Sequence, residues 1–358
     1  MSSKQREFFV EKYVNIRDLP DLGPATAASL EVAGYTTVRS IATASVRELT
    51  EIQGISDTSA EKFIKEAGKT MDLGFQLAST YAESIGERES LSFGAPGLDS
   101  LVEGGIPTNS ITELFGEFGA GKTQITHQLA VVAQLPLDKG GLNTKVLYID
   151  VESVFQPEKI IAIGKRFGVK NPLNGIILAE AFTSDHQCQL LEYAERVIEE
   201  NKIRLIIIDG VMSHFRSEYI GRESLAPRQQ KLNKHLHRLV RLLRQYNAVG
   251  VLTNQVSAKP DAYAFHPMAI GGHILAHKAH TIIFLRKVGK GGKRIAEVTA
   301  SPFFAANTQV PYEIRFDGIH GDQVVAPLKD GDQVVAPPEE EEEESPEEFS
   351  LEEDLDEE

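Results

Sequence analysis

Residues 116–123 read Gly-Glu-Phe-Gly-Ala-Gly-Lys-Thr, which is the pattern G-x-x-x-x-G-K-T. The apolar run 111–115 before it predicts a strand, and the run 123–134 after it is compatible with a helix. Glycines in such a turn let backbone N–H groups surround an anion, and the N-terminus of the helix adds partial positive charge. The three segments together predict a nucleotide-binding phosphate loop, for which a glycine-rich turn without a ligand is the alternative.

The residue types in this loop also predict individual contacts. Lys122 is expected to reach the β- and γ-phosphates of a nucleotide, and the Thr123 hydroxyl is expected to bind Mg²⁺. The residues predicted to contact the nucleotide here are Gly116, Glu117, Phe118, Gly119, Ala120, Gly121, Lys122, Thr123 and Gln124.

The length of 358 residues is compatible with about two domains. The formal net charge is −15, but residues 339–358 contain 14 acidic and no basic residues, so the rest of the chain carries only −1. Bulk charge therefore does not exclude a nucleic-acid site in the body of the chain, and any such site must come from local basic clusters.

The cysteine content and the hydropathy of the chain indicate its cellular compartment. The single cysteine, Cys188, excludes an intrachain disulfide and a cysteine zinc cage. The longest apolar runs, such as 205–208, are far too short to cross a bilayer, and the N-terminus lacks the apolar segment of a signal peptide. We therefore expect a cytoplasmic protein that makes no membrane contact.

Turn signals and composition divide the chain into four segments. Residues 1–68 are predicted to be helical, as two helix–turn–helix units, and residues 69–90 form a polar connector. Residues 91–318 alternate strand and helix patterns. Residues 319–358, in which Gly-Asp-Gln-Val-Val-Ala-Pro occurs twice before an acidic block, are predicted to be disordered.

The alternation in 91–318 predicts an α/β fold. Right-handed βαβ units give a mostly parallel sheet with helices on both faces, and ligands bind at the carboxyl ends of its strands. The predicted strands are 111–115, 145–150, 175–179, 204–209, 248–254, 281–286, 294–299 and 312–316, and the predicted helices are 122–135, 157–167, 184–201 and 225–246.

Three of these strands end in polar side chains that suit nucleotide hydrolysis. The run 205–209 is Leu-Ile-Ile-Ile-Asp, a buried strand ending in Asp209, which would join the Mg²⁺ shell; a helix N-cap is the alternative. Glu152, past the end of another strand, is the candidate for polarising the attacking water, and a solvated loop acid is the alternative. Gln255, beyond a third strand, can sense a γ-phosphate and pass its presence into the next loop.

Several runs in fixed order carry a family resemblance. They are GEFGAGKTQ (116–124), SHFRSEYIG (213–221), RQQKLNKH (228–235), TNQV (253–256), IGGHILAH (270–277) and LRKVGKGGKR (285–294). On these runs the chain resembles the RadA recombinases of archaea and their eukaryotic counterparts, within the RecA superfamily. The likeness extends over about residues 15–318, and the 216–235 and 270–277 runs favour recombinases over replicative helicases of the same superfamily.

The resemblance implies a RecA-like ATPase core with a mostly parallel, twisted sheet for 91–318, and a small helix-hairpin-helix DNA-binding domain for 1–68. It implies an ATP-dependent enzyme that polymerises on single-stranded DNA and exchanges strands with a homologous duplex in recombinational repair. Its partners would be single- and double-stranded DNA, further copies of the chain in a filament or ring, and a mediator or single-strand-binding protein. We therefore expect a nucleoid-associated protein.

Roles for the nucleotide-site residues follow from the same resemblance. ATP and Mg²⁺ are the implied cofactors, with Thr123 and Asp209 as metal ligands. Glu152 matches the catalytic glutamate and Gln255 the glutamine linked to the γ-phosphate. His277 matches a histidine that faces the nucleotide across the subunit boundary.

DNA contacts are also implied. Arg216, Tyr219, Arg222 and Arg228 match residues in and beside the first DNA-binding loop, and residues 256–270 match the second. Single-strand binders need cations along phosphates and flat groups near bases, which these segments supply.

Further candidate DNA contacts lie outside the two loops. Gly23 and Gly54 occupy the hairpin turns, where backbone N–H groups would contact duplex phosphates without reading sequence. Basic residues also continue along the predicted helix 225–246. These are Lys231, Lys234, Arg238, Arg241 and Arg244. For the last three of them, Arg238, Arg241 and Arg244, exposure on a solvated helix face is the alternative.

The connector carries Gly-Phe-Gln-Leu-Ala at 74–78, which resembles the family's polymerisation motif, Phe-x-x-Ala. Phe75 and Ala78 would dock on a neighbouring subunit, in a pocket that by alignment includes Ile177, Ala179 and Leu190. Packing of Phe75 on its own helical domain is the alternative.

The chain departs from the family pattern at several positions. Asp21 replaces a hairpin glycine, Gln156 an arginine after the catalytic glutamate, and Gly210 a serine after Asp209. Ala300 stands where an aspartate helps cap the neighbour's nucleotide and bind a cation. We expect normal nucleotide binding with altered hydrolysis or cation dependence, and a non-exchanging paralogue that assists another recombinase remains the alternative. The acidic tail would be a DNA mimic, a partner-docking tip or a solubilising segment.

Overall fold

The computed structural model describes residues 13, 15–69, 77–79, 82, 89–221, 223–256, 269–288 and 293–321. Phe75, Arg222, most of the segment 256–270 and the acidic block lie outside the described residues. None of the helices within these ranges combines the length and apolar character needed to cross a membrane.

The N-terminal part is helical, as predicted. After a single 3-10 turn (Ile16–Asp18) come α1 (Pro24–Val32), α2 (Val38–Ala42), α3 (Val46–Thr50) and α4 (Asp57–Gly68). The side chains of Thr37, Ser45 and Ser56 accept hydrogen bonds from the first-turn N–H groups of α2, α3 and α4, and so fix where these helices begin. Their apolar residues form a cluster of their own.

A nine-stranded sheet forms the centre of the α/β part. Its strands are β3 (Ser110–Gly116), β4 (Val146–Asp150), β5 (Ile176–Glu180), β6 (Leu205–Asp209), β7 (Val249–Gln255), β8 (Thr281–Lys287), β9 (Lys293–Ala300), β10 (Gln309–Arg315) and β11 (Gly318–His320). Two further short strands are β1 (Ser90–Leu91) and β2 (Ile106–Pro107). The sheet order is β11-β10-β9-β8-β3-β7-β6-β4-β5, and β1 and β2 pair separately. Neighbours from β8 to β5 are parallel, whereas β9, β10 and β11 extend the sheet in antiparallel fashion.

Helices cover both faces of this sheet. They are α5 (Pro96–Leu101), α6 (Lys122–Val132), α7 (Pro157–Phe167), α8 (Ser184–Asn201), α9 (Ser213–Glu218), α10 (Leu225–Gln245) and α11 (Gly272–Lys278). Along β3, Leu114 packs into the cluster that contains Leu129 of α6. Ile111 packs on the other side, with Leu191 of α8 and Leu239 of α10. The fold is therefore the predicted α/β arrangement with a mostly parallel sheet.

The short elements and one boundary differ from the sequence predictions. Every strand and helix predicted between 111 and 316 is present, with ends within three residues, but α5, α9, α11, β1, β2 and β11 were not predicted because each is too short to show a period. The boundary predicted between residues 318 and 319 is wrong, since it falls inside β11. Ile319 is fully buried and lies opposite Ile314 of β10.

Arg238 of α10 joins the helical domain to the α/β part. Its guanidinium donates to the Gly34 carbonyl oxygen at 3.0 Å and pairs with the Glu195 carboxylate of α8 at 3.2 Å. The Arg238 guanidinium carbon also lies 5.2 Å from the centroid of the Tyr35 ring. The side chain of Glu195 is completely buried, and burial raises the pKa of its carboxyl.

Arg241, one turn further along α10, makes similar contacts. Its guanidinium carbon lies 5.0 Å from the Tyr35 ring centroid, and it pairs with Glu48 at 3.8 Å. Both readings of these positions from sequence, as DNA contacts or as a solvated helix face, are therefore wrong for Arg238 and Arg241. Sequence alone could not show this, because the partner surface comes from another domain. Arg244 is exposed.

We predict that Arg238→Ala destabilises the fold. It would lower the free energy of unfolding by about 3 kcal/mol or more, because it leaves the buried Glu195 without its ionic partner. Arg244→Ala, at an exposed position of the same helix, should change it by less than about 0.5 kcal/mol. Urea unfolding followed by circular dichroism measures both, and equal losses in the two variants would contradict the buried role.

Candidate nucleotide and DNA site

The phosphate loop (residues 116–123) connects β3 to α6, and close packing requires two of its glycines. A Cβ atom on Gly116 would lie 2.1 Å from the carbonyl oxygen of Leu285 on β8. Gly121 has φ +106°, and a Cβ there would lie 2.5 Å from Cδ1 of Ile314 on β10. The loop backbone therefore lies directly against β8 and β10.

Hydrogen bonds from the neighbouring strands hold the loop. The Tyr312 hydroxyl donates to the Ala120 carbonyl oxygen at 2.6 Å. Arg294 donates from Nε and a terminal nitrogen to the Gly119 carbonyl oxygen at 3.2 and 3.1 Å. Phe118, directly before Gly119 in the chain, is 95% exposed, so the tip of the loop projects into solvent.

Lys122 begins α6 and folds back over its own loop. Its amine donates to the carbonyl oxygens of Gly116 and Glu117, both at 2.9 Å. Burial lowers the pKa of the amine, and the carboxylates of Glu152, Asp209 and Glu117 oppose that shift. The amine is therefore held at the rim of the loop, where an anion would replace the two carbonyl groups as its partner.

Asp209, at the end of β6, lies within a set of hydroxyl groups. Its carboxylate accepts from Thr253 at 2.5 Å, from Tyr148 at 2.6 Å, and from Thr123 and Thr126 at 3.3 Å each. The residue is 1% exposed, and burial raises the pKa of the carboxyl while the hydrogen bonds from Thr253, Tyr148 and Thr123 lower it. Hydroxyl groups thus stabilise the anion without neutralising it.

Thr123 and Asp209 fit a magnesium site. The Thr123 hydroxyl and the Asp209 carboxylate are 3.3 Å apart and supply oxygen ligands. Mg²⁺ is commonly held by one or two carboxylates, with the rest of its shell taken from phosphate and water.

Glu152 lies beyond the end of β4, in a turn that Asp150 shapes. The Asp150 carboxylate accepts from the N–H groups of Glu152 at 3.2 Å and Phe155 at 2.8 Å. The Glu152 carboxylate then accepts from the Ser213 hydroxyl at 2.6 Å and from the Gln255 amide at 3.0 Å. The structure thus brings together the two predicted catalytic side chains, which are far apart in sequence.

A cleft of about 220 Å³ brings together Lys122, Glu152 and Gln255 with Arg216 and Ile270 of the two predicted DNA-binding segments. Its lining residues are Lys122, Glu152, Gly210, Met212, Ser213, Arg216, Thr253, Asn254, Gln255 and Ile270. Arg216, on α9, therefore lines the same cleft as Lys122 and Glu152.

The other residues predicted in the first DNA-binding loop have different environments. Tyr219 is half-buried, and the Lys231 amine donates to its hydroxyl at 3.2 Å and lies 5.5 Å from its ring centroid. Arg228 is half-buried in the first turn of α10. Arg222 lies outside the described residues.

His277, Gln124 and Ala78 are predicted site residues outside this cleft lining. His277 is exposed on α11 and does not line the cleft of its own chain. Gln124 is half-buried in the first turn of α6, and Ala78 is exposed. Phe75 lies outside the described residues.

The hairpin turns of the helical domain present their glycines to solvent. Gly23 and Gly54 are exposed, and nothing lies within 4 Å of a Cβ built on either. Asp21, in the first turn, has φ +61°, a conformation that glycine adopts without strain. Lys62 of α4 forms an ion pair with Asp21, so the one charge offsets the other beside this turn.

Comparison with known families agrees with this geometry. A family model described as Rad51 matches residues 87–322, and a model described as a SAM-like helix-hairpin-helix tandem matches residues 15–69. The chain belongs to the Rad51 family. Rad51-family proteins are DNA-dependent ATPases, so this chain carries a recombinase domain of a family that binds ATP and DNA and forms filaments.

Sequence reasoning missed four side chains of this Rad51-family site. Tyr148, Thr126 and Thr253 bond Asp209, and Ser213 bonds Glu152. The hydroxyls of Tyr148, Thr126 and Thr253 lie within runs predicted as strand or helix, where a single polar atom leaves no periodic signal, and Ser213 begins a helix too short to be predicted.

Gly210 provides the space for Glu152. Its φ is +92°, and a Cβ there would lie 2.6 Å from Cγ of Glu152. Serine is usual at this position in the resembling recombinases, and a side chain there would not fit with Glu152 in its present position.

We predict that Gly210→Ala displaces Glu152 and lowers the kcat of ATP hydrolysis by roughly tenfold to 100-fold, as misplacement of a catalytic group commonly does. Nucleotide affinity should stay within about twofold, since Lys122 is unaffected. Gly104→Ala is the matched control, because Gly104 has φ +111° but nothing within 4 Å of its Cβ. Steady-state ATPase assays compare the kcat of the two variants. Equal losses of kcat in both would attribute the effect to backbone strain alone and contradict the displacement of Glu152.

Proposed function

We propose that the chain is an ATP-dependent recombinase that forms filaments on single-stranded DNA and catalyses homologous pairing and strand exchange in recombinational repair. The observation that carries this proposal is the shared cleft. Lys122, Glu152 and Gln255 line it together with Arg216 of the predicted first DNA-binding loop, so nucleotide and DNA would act on neighbouring side chains.

The proposed hydrolysis site uses residues from three strand ends and the phosphate loop. Lys122 would bind the β- and γ-phosphates of ATP, and Thr123 and Asp209 would hold Mg²⁺, which when bound neutralises phosphate charge. Glu152 would orient and polarise the attacking water, with its carboxylate positioned by the Ser213 hydroxyl at 2.6 Å. Gln255, 3.0 Å from the same carboxylate, would respond to the presence of the γ-phosphate.

The proposed DNA contacts surround this site. Arg216, Tyr219, Arg222 and Arg228 would hold single-stranded DNA with the segment 256–270. Base pairing would supply sequence specificity, so the protein would bind mainly backbone and shape.

The proposed duplex contacts are the backbone N–H groups at Gly23 and Gly54. The offsetting of Lys62 by Asp21 supports weak duplex binding at the first hairpin.

Filament assembly would use the connector. Phe75 and Ala78 of one copy would dock on a neighbour at β5 and α8, where Ile177 and Leu190 are half-buried apolar side chains. His277 is exposed and would face the neighbour's nucleotide. The proposed partners are DNA, further copies in a filament or ring, and a mediator or single-strand-binding protein, at the nucleoid.

A second candidate is a non-exchanging paralogue that binds ATP and DNA and assists another recombinase. The departures from the family pattern favour it. Ala300 is exposed at the end of β9 and offers no carboxylate, and Gln156 is an exposed residue without the usual positive charge. Gly210 is a third departure, and a Cβ there would lie 2.6 Å from Cγ of Glu152.

Strand exchange distinguishes the two candidates. The full chain would be mixed with single-stranded DNA, a homologous labelled duplex, Mg²⁺, and ATP or a slowly hydrolysed analogue, at several potassium concentrations. We expect exchange that requires both nucleotide and homology, and Lys122→Ala should abolish it. Nucleotide-dependent DNA binding without exchange under every condition would reject the recombinase and favour the paralogue.

A further inference from the structure

The side chain of Asn254 connects three parts of the molecule. It lies near the end of β7 and is 2% exposed. Nδ2 donates to the Glu113 carboxyl on β3 at 2.8 Å and to the Ile270 carbonyl oxygen at 2.5 Å. Oδ1 accepts from the backbone N–H of Gln255 at 2.8 Å. Because both ends of the amide are engaged, these bonds specify one orientation of the side chain.

Glu113 orients this amide from within the sheet. It is 1% exposed and precedes the phosphate loop on the same strand. One carboxyl oxygen binds Asn254, and the other has no hydrogen-bond partner among the described residues. Burial raises the pKa of Glu113 to about 7, and the hydrogen bond from Asn254 opposes that shift. A buried, half-satisfied carboxyl costs stability, so packing does not account for it.

The same hydrogen bonds close the base of the predicted second DNA-binding loop. The Ile270 N–H donates to the Gln255 carbonyl oxygen at 3.0 Å, and Val256 and Ala269 form an isolated antiparallel bridge. At the other side of this base, the Gln255 amide reaches Glu152 at 3.0 Å. The side chain that would respond to nucleotide and the two ends of the loop therefore meet at Asn254.

We propose that Asn254, oriented by Glu113, is a positioning residue that couples nucleotide binding at Lys122 to the DNA affinity of the segment 256–270. The inference rests on the proposed function. Without the Asn254 amide, Gln255 would still reach Glu152 and would keep its backbone bond to the Ile270 N–H, but the Ile270 carbonyl would lose its link through Asn254 to Glu113 on β3. The loop base would then follow the Gln255 side chain much less closely. Coupling of this kind is reciprocal, so ATP raises DNA affinity by the factor by which DNA raises ATP affinity.

A purely structural role would give a different result. It would lower stability and weaken nucleotide and DNA binding separately, without changing the factor by which one ligand improves the other. The ratio of DNA dissociation constants without and with nucleotide therefore separates the two roles.

The experiment uses the full chain, a fluorescent oligodeoxythymidine, Mg²⁺ and a slowly hydrolysed ATP analogue, and measures this ratio by anisotropy. For the unsubstituted chain we expect a ratio within the roughly 5- to 150-fold range of coupled sites, and for Asn254→Ala about twofold or less. The analogue is used at saturating concentration, because Asn254 lines the cleft and a change in the dissociation constant of the analogue alone then leaves the ratio unaffected. Glu113→Leu should behave like Asn254→Ala, whereas Glu113→Gln keeps an acceptor oxygen and should retain most of the ratio.

Glu297→Leu is the matched control. Glu297 is also a buried carboxyl of the sheet, 2% exposed on β9, and accepts from the Gln309 amide at 2.9 Å. Its loss should lower stability but leave the ratio intact, and a lowered ratio would overturn the inference.

The remaining outcomes are also decisive. A ratio in the unsubstituted chain that survives in Asn254→Ala overturns the inference alone. A ratio near one in the unsubstituted chain overturns the proposed function as well. If Asn254→Ala does not fold, equal ratios in Glu113→Gln and Glu113→Leu overturn the inference.

Discussion

The cleft depends on the register in which the parallel strands pair. Gly116 lies opposite Gln255, and Asp150 lies opposite Asp209, so the phosphate loop and the polar strand ends finish at the same edge of the sheet. Side chains alternate between the two faces of a strand, and a slip of one residue would reverse them all. Such a slip in β7 would turn Asn254 away from its partners and move Gln255 out of reach of Glu152.

The chain buries charge in two different ways. Between the domains, the buried Glu195 is paired with the Arg238 guanidinium, and the single ring of Tyr35 lies beside the guanidinium groups of Arg238 and Arg241. At the strand end, Asp209 is surrounded by hydroxyl groups, which donate hydrogen bonds but carry no charge. A paired carboxylate is electrically satisfied and suits an interface. A carboxylate held only by hydroxyls keeps its negative potential and can still attract a cation.

Most of the fold and half of the site follow from sequence pattern. Long apolar runs with a period of two or 3.6 residues gave the strands and helices between 111 and 316, and the glycine pattern gave the phosphate loop. Strands of two or three residues, such as β11, and helices of six or seven residues, such as α11, hold their conformation through tertiary packing and leave no such period. For the same reason the roles of Arg238 and Glu113 were not predictable, since their partners come from distant segments. Tyr148 was predicted only as part of the strand 145–150, because one hydroxyl does not change an apolar pattern.

The hydroxyl shell of Asp209 has a practical consequence. Its four donors come from α6, β4 and β7, so this carboxylate links three elements as well as facing the phosphate loop. Replacing it would strand several buried hydroxyls at once and loosen the packing that joins the helix to the sheet. A loss of activity in an Asp209 variant would therefore not distinguish lost catalysis from lost folding. The Lys122 amine bonds only two carbonyl groups of its own loop among the described residues. Substitution of Lys122 therefore separates an effect on catalysis from an effect on folding.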